Sequence, residues 1–556
     1  MSTDPGEDRA STVQPFWTRA RQLEKLPPCQ SGCPNSGDIR GWLGIIAQHD
    51  RLGLSVEQAC DRAWERLVEL NPLPATMGRI CPHPCESRCS RESKDGAVSI
   101  NAMERFLGDW GISRRLALPT VRDNRCNESI GVVGSGPASL SFAYQMGRRG
   151  YPVTMYERRE LPGGMLRHAI PDYRLPRAVL DAEIQRILDL PVSLESGPDG
   201  NGSTLLDGLR ARHRLIFMGV GAQSGQCLDV PGESGPGVMS GLEYLIRRKH
   251  GHAPSLGTRV IVVGGGNTAI DAARSARRDG ADVTVLYRRS RHEMPASRQE
   301  VDDAMTEGVH FEFLVAPLRV LRDGRQLTGV EVQRMQLGET GRDGRQRPVP
   351  IAGATDRIQA DAVLTAVSQQ VDWQGLEGVA NEGGWLSAGD DGHVADDVLA
   401  GGDDLGPGIA SRAIAQGRLA AQAAHAQLRG ELPRPAQEAR PALDPSRVKH
   451  DYYEPAPRQP APRRPHAAWL AEPDTEIGQT LSPSEALREA RRCLSCGLCF
   501  GCQQCFMYCN ASGFTRIQEP GPGQYYAMAL EACEGCGKCI ELCPCGYLEP
   551  REGTPW

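Results

Sequence analysis

Residues 129–157 read SIGVVGSGPASLSFAYQMGRRGYPVTMYE: a short apolar run, a glycine-rich turn, an amphipathic stretch and a second apolar run ending in an acid. That order predicts a βαβ unit with a dinucleotide on its turn. Gly134 permits the tight turn and Gly136 lets the backbone approach a pyrophosphate, while the following helix offers free N–H groups and a positive dipole end. Glu157, 23 residues after Gly134, stands where an acid bonds a ribose hydroxyl. Ser139 occupies the third glycine position and is small enough to keep helix and strand close.

A second copy runs from 259 to 289, RVIVVGGGNTAIDAARSARRDGADVTVLYRR, with Gly264, Gly266 and Ala269 in the glycine positions. Its second strand ends in Tyr287-Arg288-Arg289 instead of an acid. An acid there repels a 2′-phosphate, whereas guanidinium groups pair with one in a two-pronged way, so this site is expected to prefer NADPH over NADH. The segment 396–424, DDVLAGGDDLGPGIASRAIAQGRLAAQAA, carries a Gly-Asp turn and a small-residue helical run. Its helix could face a second pyrophosphate or a flavin side chain, or Asp403 and Asp404 could simply cap it.

The whole chain has 556 residues with 63 Gly, 41 Pro and 19 Cys, enough for about three to four domains. A formal charge of -6 gives no footprint for nucleic acid. No apolar stretch approaches the roughly 18 residues of a membrane span, and the start is polar and acidic; a soluble cytoplasmic protein is expected. Cytosolic thiols stay reduced, so the cysteines need another reason than disulfides. Cys29, Cys33, Cys81, Cys85 and Cys89 form one group, eleven between Cys493 and Cys545 form another, and Cys60, Cys126 and Cys227 stand apart.

CEGCGKCIELCP (533–544) is a complete C-x2-C-x2-C-x3-C-P run, and Cys499, Cys502, Cys505 and Cys509 repeat the spacing with Asn510 in place of proline. Such runs hold two [4Fe–4S] clusters, each borrowing its fourth cysteine from the other run. Cys499, Cys502, Cys505 and Cys543 are therefore assigned to one cluster, and Cys533, Cys536, Cys539 and Cys509 to the other, with a zinc ribbon as the alternative. The N-terminal cysteines, in PPCQSGCP and RICPHPCESRCSR, are open to zinc or iron–sulfur ligation.

LPGGMLRHAIPDYRLP (161–176), GGGNTAIDAARSA, YRRSRHEMPAS (287–297) and GGDDLGPGIASRAIAQGRLAA (401–421) are similar, in this order, to the small subunit of NADPH-dependent glutamate synthase and its relatives, including the flavin half of dihydropyrimidine dehydrogenase. The resemblance covers most of residues 27–428. It implies an α/β multidomain fold. Residues 1–124 would form a helical iron–sulfur domain, 125–250 with 361–430 an FAD domain, and 251–360 an inserted NAD(P)H domain, the two being nested Rossmann-like units. A Pro-rich linker (431–483) and a bacterial-type 2[4Fe–4S] ferredoxin domain (484–556) would follow. The resemblance places Gly134, Gly136, Pro137, Glu157, Gly164, Leu166, Arg174, Gly402 and Asp403 at FAD. It places Gly264, Gly266, Asn267, Thr268, Arg288 and Arg289 at NADP(H), with NAD(H) still open.

Relatives carry two clusters near their N-terminus. One uses the positions of Cys33, Cys81 and Cys85 with a carboxylate or amide ligand, here Glu104. The other uses Cys29 and Cys89 with a CxxC pair upstream in an EAxRCLxCG-like sequence. PFWTRARQLEKLPP holds no such pair, yet SEALREARRCLSCG appears near residue 490. Cys493 and Cys496 are thus expected to fold back and complete the broken site, giving four clusters in all. Cys60, Cys126, Cys227 and Cys545 are left as structural thiols.

The parts imply an FAD- and iron–sulfur-dependent NAD(P)H:acceptor oxidoreductase, with the chemistry carried by cofactors and no general base required. It would exchange electrons, in either direction, with a partner such as a 2-oxoacid:ferredoxin oxidoreductase or a sirohaem sulfite reductase. Alternatives are a glutamate synthase small subunit and a non-enzymatic redox sensor or scaffold; a pyrimidine or ureide reductase is weaker, as no second flavin barrel is present.

Overall fold

The structure, a computed structural model, describes residues 18–121, 125–197, 205–341, 344–374, 376, 381–431 and 440–551. The run after residue 129 forms the strand Ile130–Val133, buried along its whole length. It pairs in parallel with Val153–Glu157 on one side and Leu215–Met218 on the other. In spatial order the sheet runs His393–Ala395, Val398–Ala400, Leu215–Met218, Ile130–Val133, Val153–Glu157, Val192–Ser196. Burial on both faces explains why its central strands are continuous apolar runs and not alternating ones. Helices Pro137–Gly147 and Ala410–Arg429 pack across it, close enough that a Cβ on Gly417 would lie 2.1 Å from the Ala138 carbonyl oxygen.

The second glycine loop builds a second sheet, all parallel, in the order His310–Phe313, Asp282–Tyr287, Arg259–Val263, Ala362–Thr365, Val238–Ser240. An antiparallel meander of Val315–Asp323, Gln326–Thr340 and Gln346–Gln359 covers one of its faces. Two of these sheet strands lie outside 251–360, so that boundary moves: the unit extends to the short antiparallel link formed by Ala222–Gly225 and Gln369–Val371. The cause is that the last strand, Ala362–Thr365, pairs with the central Arg259–Val263 and the first, Val238–Ser240, pairs with that last strand at the sheet edge, so the chain completes the sheet from both sides of the insertion.

The N-terminal unit is helical. Ile39–Ala47, Val56–Val68, Pro74–Ile80 and Ile100–Ser113 bury Trp42, Leu43, Ile46, Trp64, Met103 and Phe106. At the other end, Leu548–Pro550 pairs antiparallel with Ala20–Gln22, so the two ends of the described chain are zipped together.

Of the linker read from composition over 431–483, residues 432–439 lie outside the described residues, and 440–483 form an extended but packed strap. Arg458 pairs with Glu86 at 2.5 Å, Arg463 with Asp303, and Glu476 with Arg79 at 2.7 Å. Within it the short helix Ala467–Ala471 buries Trp469 against Tyr173 and Ile477. Proline keeps the backbone extended, as expected, but the arginines find carboxylates on two other units and hold the strap down.

A candidate dinucleotide cavity and four groups of thiols

Gly134 adopts φ +86°, and a Cβ there would stand 2.3 Å from the Gly219 carbonyl oxygen. Gly264 repeats this at φ +148°, 2.3 Å from the Ala366 oxygen. Only glycine fits such a turn. The next glycines differ in kind: a Cβ on Gly136 or Gly266 meets nothing within 4 Å. Each is the residue before a helix N-terminus, Pro137–Gly147 or Asn267–Arg278, so the open space lies where free amides can receive a phosphate. The residues present therefore fit a dinucleotide in both loops.

A cavity of ≈ 700 Å³ opens at the first loop, within the range of small-molecule sites. Gly134, Gly136, Pro137, Glu157, Gly164, Leu166, Arg174, Gly402 and Asp403 all line it, and Asn267 and Thr268 reach it from the second unit. Gly264, Gly266, Arg288 and Arg289 stand outside its wall. Gly164 abuts the first loop, its Cβ position 2.8 Å from the Gly136 Cα. Ser135, which the glycine pattern passes over, ties the loops together: its hydroxyl donates to Glu157 and accepts from the Gly163 N–H at 2.9 Å. Asp403 accepts from the Gly408 N–H at 3.0 Å, and burial pushes its carboxyl up to about 6. Its neighbour Asp404 is fully buried and accepts from the Val220 and Gly221 amides at 3.1 and 2.5 Å, clamping the Gly-Asp turn to the adjacent strand end.

Two of the expected arginines have partners within the protein. Arg174 lines the cavity, but its guanidinium is taken by Asp271, at 2.7 and 2.8 Å, on the helix of the second unit; it bridges the two nucleotide units. Arg289 is buried and donates from Nε to the Gln346 carbonyl at 2.7 Å, so the meander claims it, while Arg288 is exposed at the strand end. Neither partner is near in sequence, which hides both engagements from motif reading.

The thiols gather in four groups. Burial pushes the Cys29 thiol well up, and next the neighbouring Cys493, Cys496 and Cys89 sulfurs do the same. Burial likewise raises Cys85, followed by Cys33, Glu104 and Cys81. Cys505 is pushed up to about 12 by burial and then by Cys499, Cys502 and Cys543. Cys539 rises to about 11 by burial and then by Cys533, Cys536 and Cys509. Each set is one that the spacing and the resemblance put together, including the pairing of Cys29 and Cys89 with a CxxC from the far end. Glu104 accepts from Asn71 Nδ2 at 2.9 Å, and burial lifts it to about 7.

Among the described residues no three His, Cys, Asp or Glu side chains close on a single ion. Zinc with bonds of about 2.3 Å would draw its thiolates to within about 4 Å of each other, whereas a cubane stands between its ligands. The donor sets, mostly cysteine thiols, fit iron–sulfur clusters, and the thiols of the third group line a small cavity. Cys60 is buried in the helical core, Cys126 donates to the Arg149 carbonyl at 3.6 Å, and Cys227 is exposed.

The groups form a series with the cavity at one end. Ile80 and Pro82, on either side of Cys81, line the cavity. Cys29 lies in helix Pro28–Gly32 and Cys33 caps its end, and Cys85 and Cys89 flank the turn Glu86–Arg88, so the first and second groups share both elements. Cys496 and Cys499 are three residues apart, and Tyr453 of the strap packs in one cluster with Cys496 and stacks on Phe500, the neighbour of Cys499. Helices Gln504–Met507 and Lys538–Leu542 join the third to the fourth, which ends at exposed Cys536.

Residues 128–417, just over half of the chain, match the family described as pyridine nucleotide-disulphide oxidoreductase. Residues 19–116 match the family described as dihydropyrimidine dehydrogenase domain II, 4Fe-4S cluster. The chain is similar to NADPH-Fe(3+) oxidoreductase subunit beta of Geobacter sulfurreducens, 38% identical over 62% of this chain and 51% of that protein. It is similar to NADP(+)-dependent formate dehydrogenase subunit beta of Moorella thermoacetica, 33% identical over 74% of this chain and 60% of that one. It is also 32% identical to the glutamate synthase [NADPH] small chain of Azospirillum brasilense, over 62% of this chain and 72% of the relative. The match thus spans only about half of the Geobacter protein's length. Among the described residues no helix is long and apolar enough to cross a membrane. Two glycine loops, the first on a cavity that Asn267 and Thr268 reach from the second unit, with thiol groups leading away from it, agree with these matches: the chain belongs to the pyridine nucleotide-disulphide oxidoreductase family, with an iron–sulfur domain ahead of its nucleotide-binding units.

Proposed function

We propose that the chain is the NADPH-handling subunit of a larger redox complex, passing electrons between the dinucleotide cavity and a one-electron partner protein at its C-terminal unit. The observation that supports this reading is that Ile80 and Pro82, the neighbours of Cys81 in the first thiol group, line the cavity proposed for the flavin. A bound flavin exchanges hydride pairs with a nicotinamide and releases electrons singly to iron–sulfur clusters. The chain supplies placement. Gly134, Gly136, Pro137, Glu157, Gly164, Leu166, Gly402 and Asp403 would hold the FAD. Gly264, Gly266, Asn267, Thr268 and the exposed Arg288 would hold NADP(H), Arg288 facing the 2′-phosphate. Cys33, Cys81, Cys85 and Glu104, then Cys29, Cys89, Cys493 and Cys496, would hold the first two clusters. Cys499, Cys502, Cys505 and Cys543, then Cys509, Cys533, Cys536 and Cys539, would hold the last two. Reduced thiols in this number suit a cytoplasmic setting.

The test is compositional first. Purified anaerobically, the chain should carry one FAD and about 16 irons, four for each cubane. Cys493→Ser/Cys496→Ser should lose about four of them. Full iron content in that variant would remove the joined second group, and a chain that NADPH cannot bleach would remove the whole reading.

A further inference from the structure

Cys545 has no place in the four sets. It is 2% exposed, and its Sγ lies 3.8 Å from that of Cys543. The two are separated only by Pro544. A small cavity is lined by Cys499, Cys502, Cys505 and Cys543, and Cys545 lines the same one. Five thiols therefore face a space for which four ligands suffice.

A buried cysteine often serves as a small apolar filler. Here the backbone around it is held with unusual care. The Pro544 carbonyl accepts from the Lys449 N–H at 2.9 Å, that of Cys545 from Gly497 N–H at 2.6 Å, and that of Gly546 from Lys25 Nζ at 2.6 Å. These donors come from the strap, from the loop after Cys496, and from the N-terminal unit. Three separate segments thus fix where the Cys545 thiol points, and it points at a ligand sulfur.

We infer that Cys545 is a positioning residue of the third group: its thiol donates an S–H···S hydrogen bond to the Cys543 sulfur and raises the reduction potential of the cluster held there. The inference rests on the reading of Cys499, Cys502, Cys505 and Cys543 as ligands. A hydrogen bond to a ligand sulfur withdraws charge from it and favours the reduced cluster, a recognised lever on iron–sulfur potentials. Because Gly497 holds the Cys545 carbonyl while Lys449 and Lys25 hold those of its neighbours Pro544 and Gly546, the parts that dock the C-terminal unit also set the backbone that carries this thiol.

The test uses the full chain, purified anaerobically, as wild type, Cys545→Ala, Cys545→Ser and Cys543→Ala. The readouts are iron per chain and the midpoint potentials of the cluster signals by electron paramagnetic resonance. Cys545→Ala should keep wild-type iron while one signal moves to lower potential. Cys545→Ser, which retains a donor, should recover part of that shift. Cys543→Ala should lose about four irons. Unchanged midpoints in an iron-replete Cys545→Ala chain overturn the inference, as does loss of iron from Cys545→Ala. Wild-type chain short of these irons would sink the underlying ligand reading instead.

Discussion

The same added methyl group has opposite consequences at Gly136 and Gly417. A Cβ on Gly136 points into empty space beside the cavity, so Gly136→Ala leaves the packing intact and blocks only what a cofactor's phosphates need. The expected outcome is a protein of normal melting temperature in its flavin-free form that retains little FAD, read as flavin per chain. A Cβ on Gly417 would lie 2.1 Å from the Ala138 carbonyl. The two long helices must then part, at a cost of roughly 1–3 kcal/mol, read as a fall in melting temperature. A third residue sets a pH dependence. His168 is buried, stacked on His250 with centroids 5.2 Å apart, and donates from Nε2 to the Leu161 carbonyl at 3.1 Å. Burial lowers its pKa to about 4, with Arg159 adding to the effect. The unfolded chain takes up a proton near 6.5 while the folded chain stays neutral, so stability is full above about 6.5 and declines as pH falls toward 4. In His168→Gln that part of the acid decline should vanish from the melting-temperature profile.

Among the elements, the glycine loops and cysteine runs were legible because their requirements are local. Gly134 and Gly264 need positive φ within the turn itself, and three-residue cysteine steps encode their own geometry. The strap was not legible. Its prolines and arginines read as a linker because Glu86 and Asp303 become neighbours of Arg458 and Arg463 only once three units are assembled. The engagement of Arg174 by Asp271 was hidden for the same reason. Trp469 measures what the strap contributes: its indole N–H donates to the Arg464 carbonyl at 3.0 Å, Arg463 sits 4.7 Å over its ring, and its own carbonyl accepts from Arg278 at 2.8 Å. Trp469→Ala should cost about 3–5 kcal/mol if the units unfold together. It should also open the strap to protease near residue 469. A full-strength melt with no new cleavage would show that the strap is passive.

At the scale of the molecule, the order of the thiol groups matters more than their number. Cys81 is bracketed by cavity-lining residues, and Cys536 is the exposed thiol of the group farthest from the cavity. Pairing of Ala20–Gln22 with Leu548–Pro550 folds the last groups onto the first unit, so the series is one connected body and not a tethered pair. Loss at either end should therefore read out differently. Cys536→Ser should remove the fourth cluster alone, leaving NADPH-driven reduction of the flavin and of the first three signals intact. A small diffusible dye should still be reduced at near wild-type rate, while transfer to a protein acceptor falls at least tenfold. Cys81→Ser should break the series at its first member. The flavin would still bleach with NADPH, but none of the downstream signals would appear within the turnover time. Equal loss of all signals in both variants would mean that the groups are filled in parallel from solution. A Cys81→Ser chain whose C-terminal clusters still reduce promptly would mean that electrons enter at some point other than the wall formed by Ile80 and Pro82.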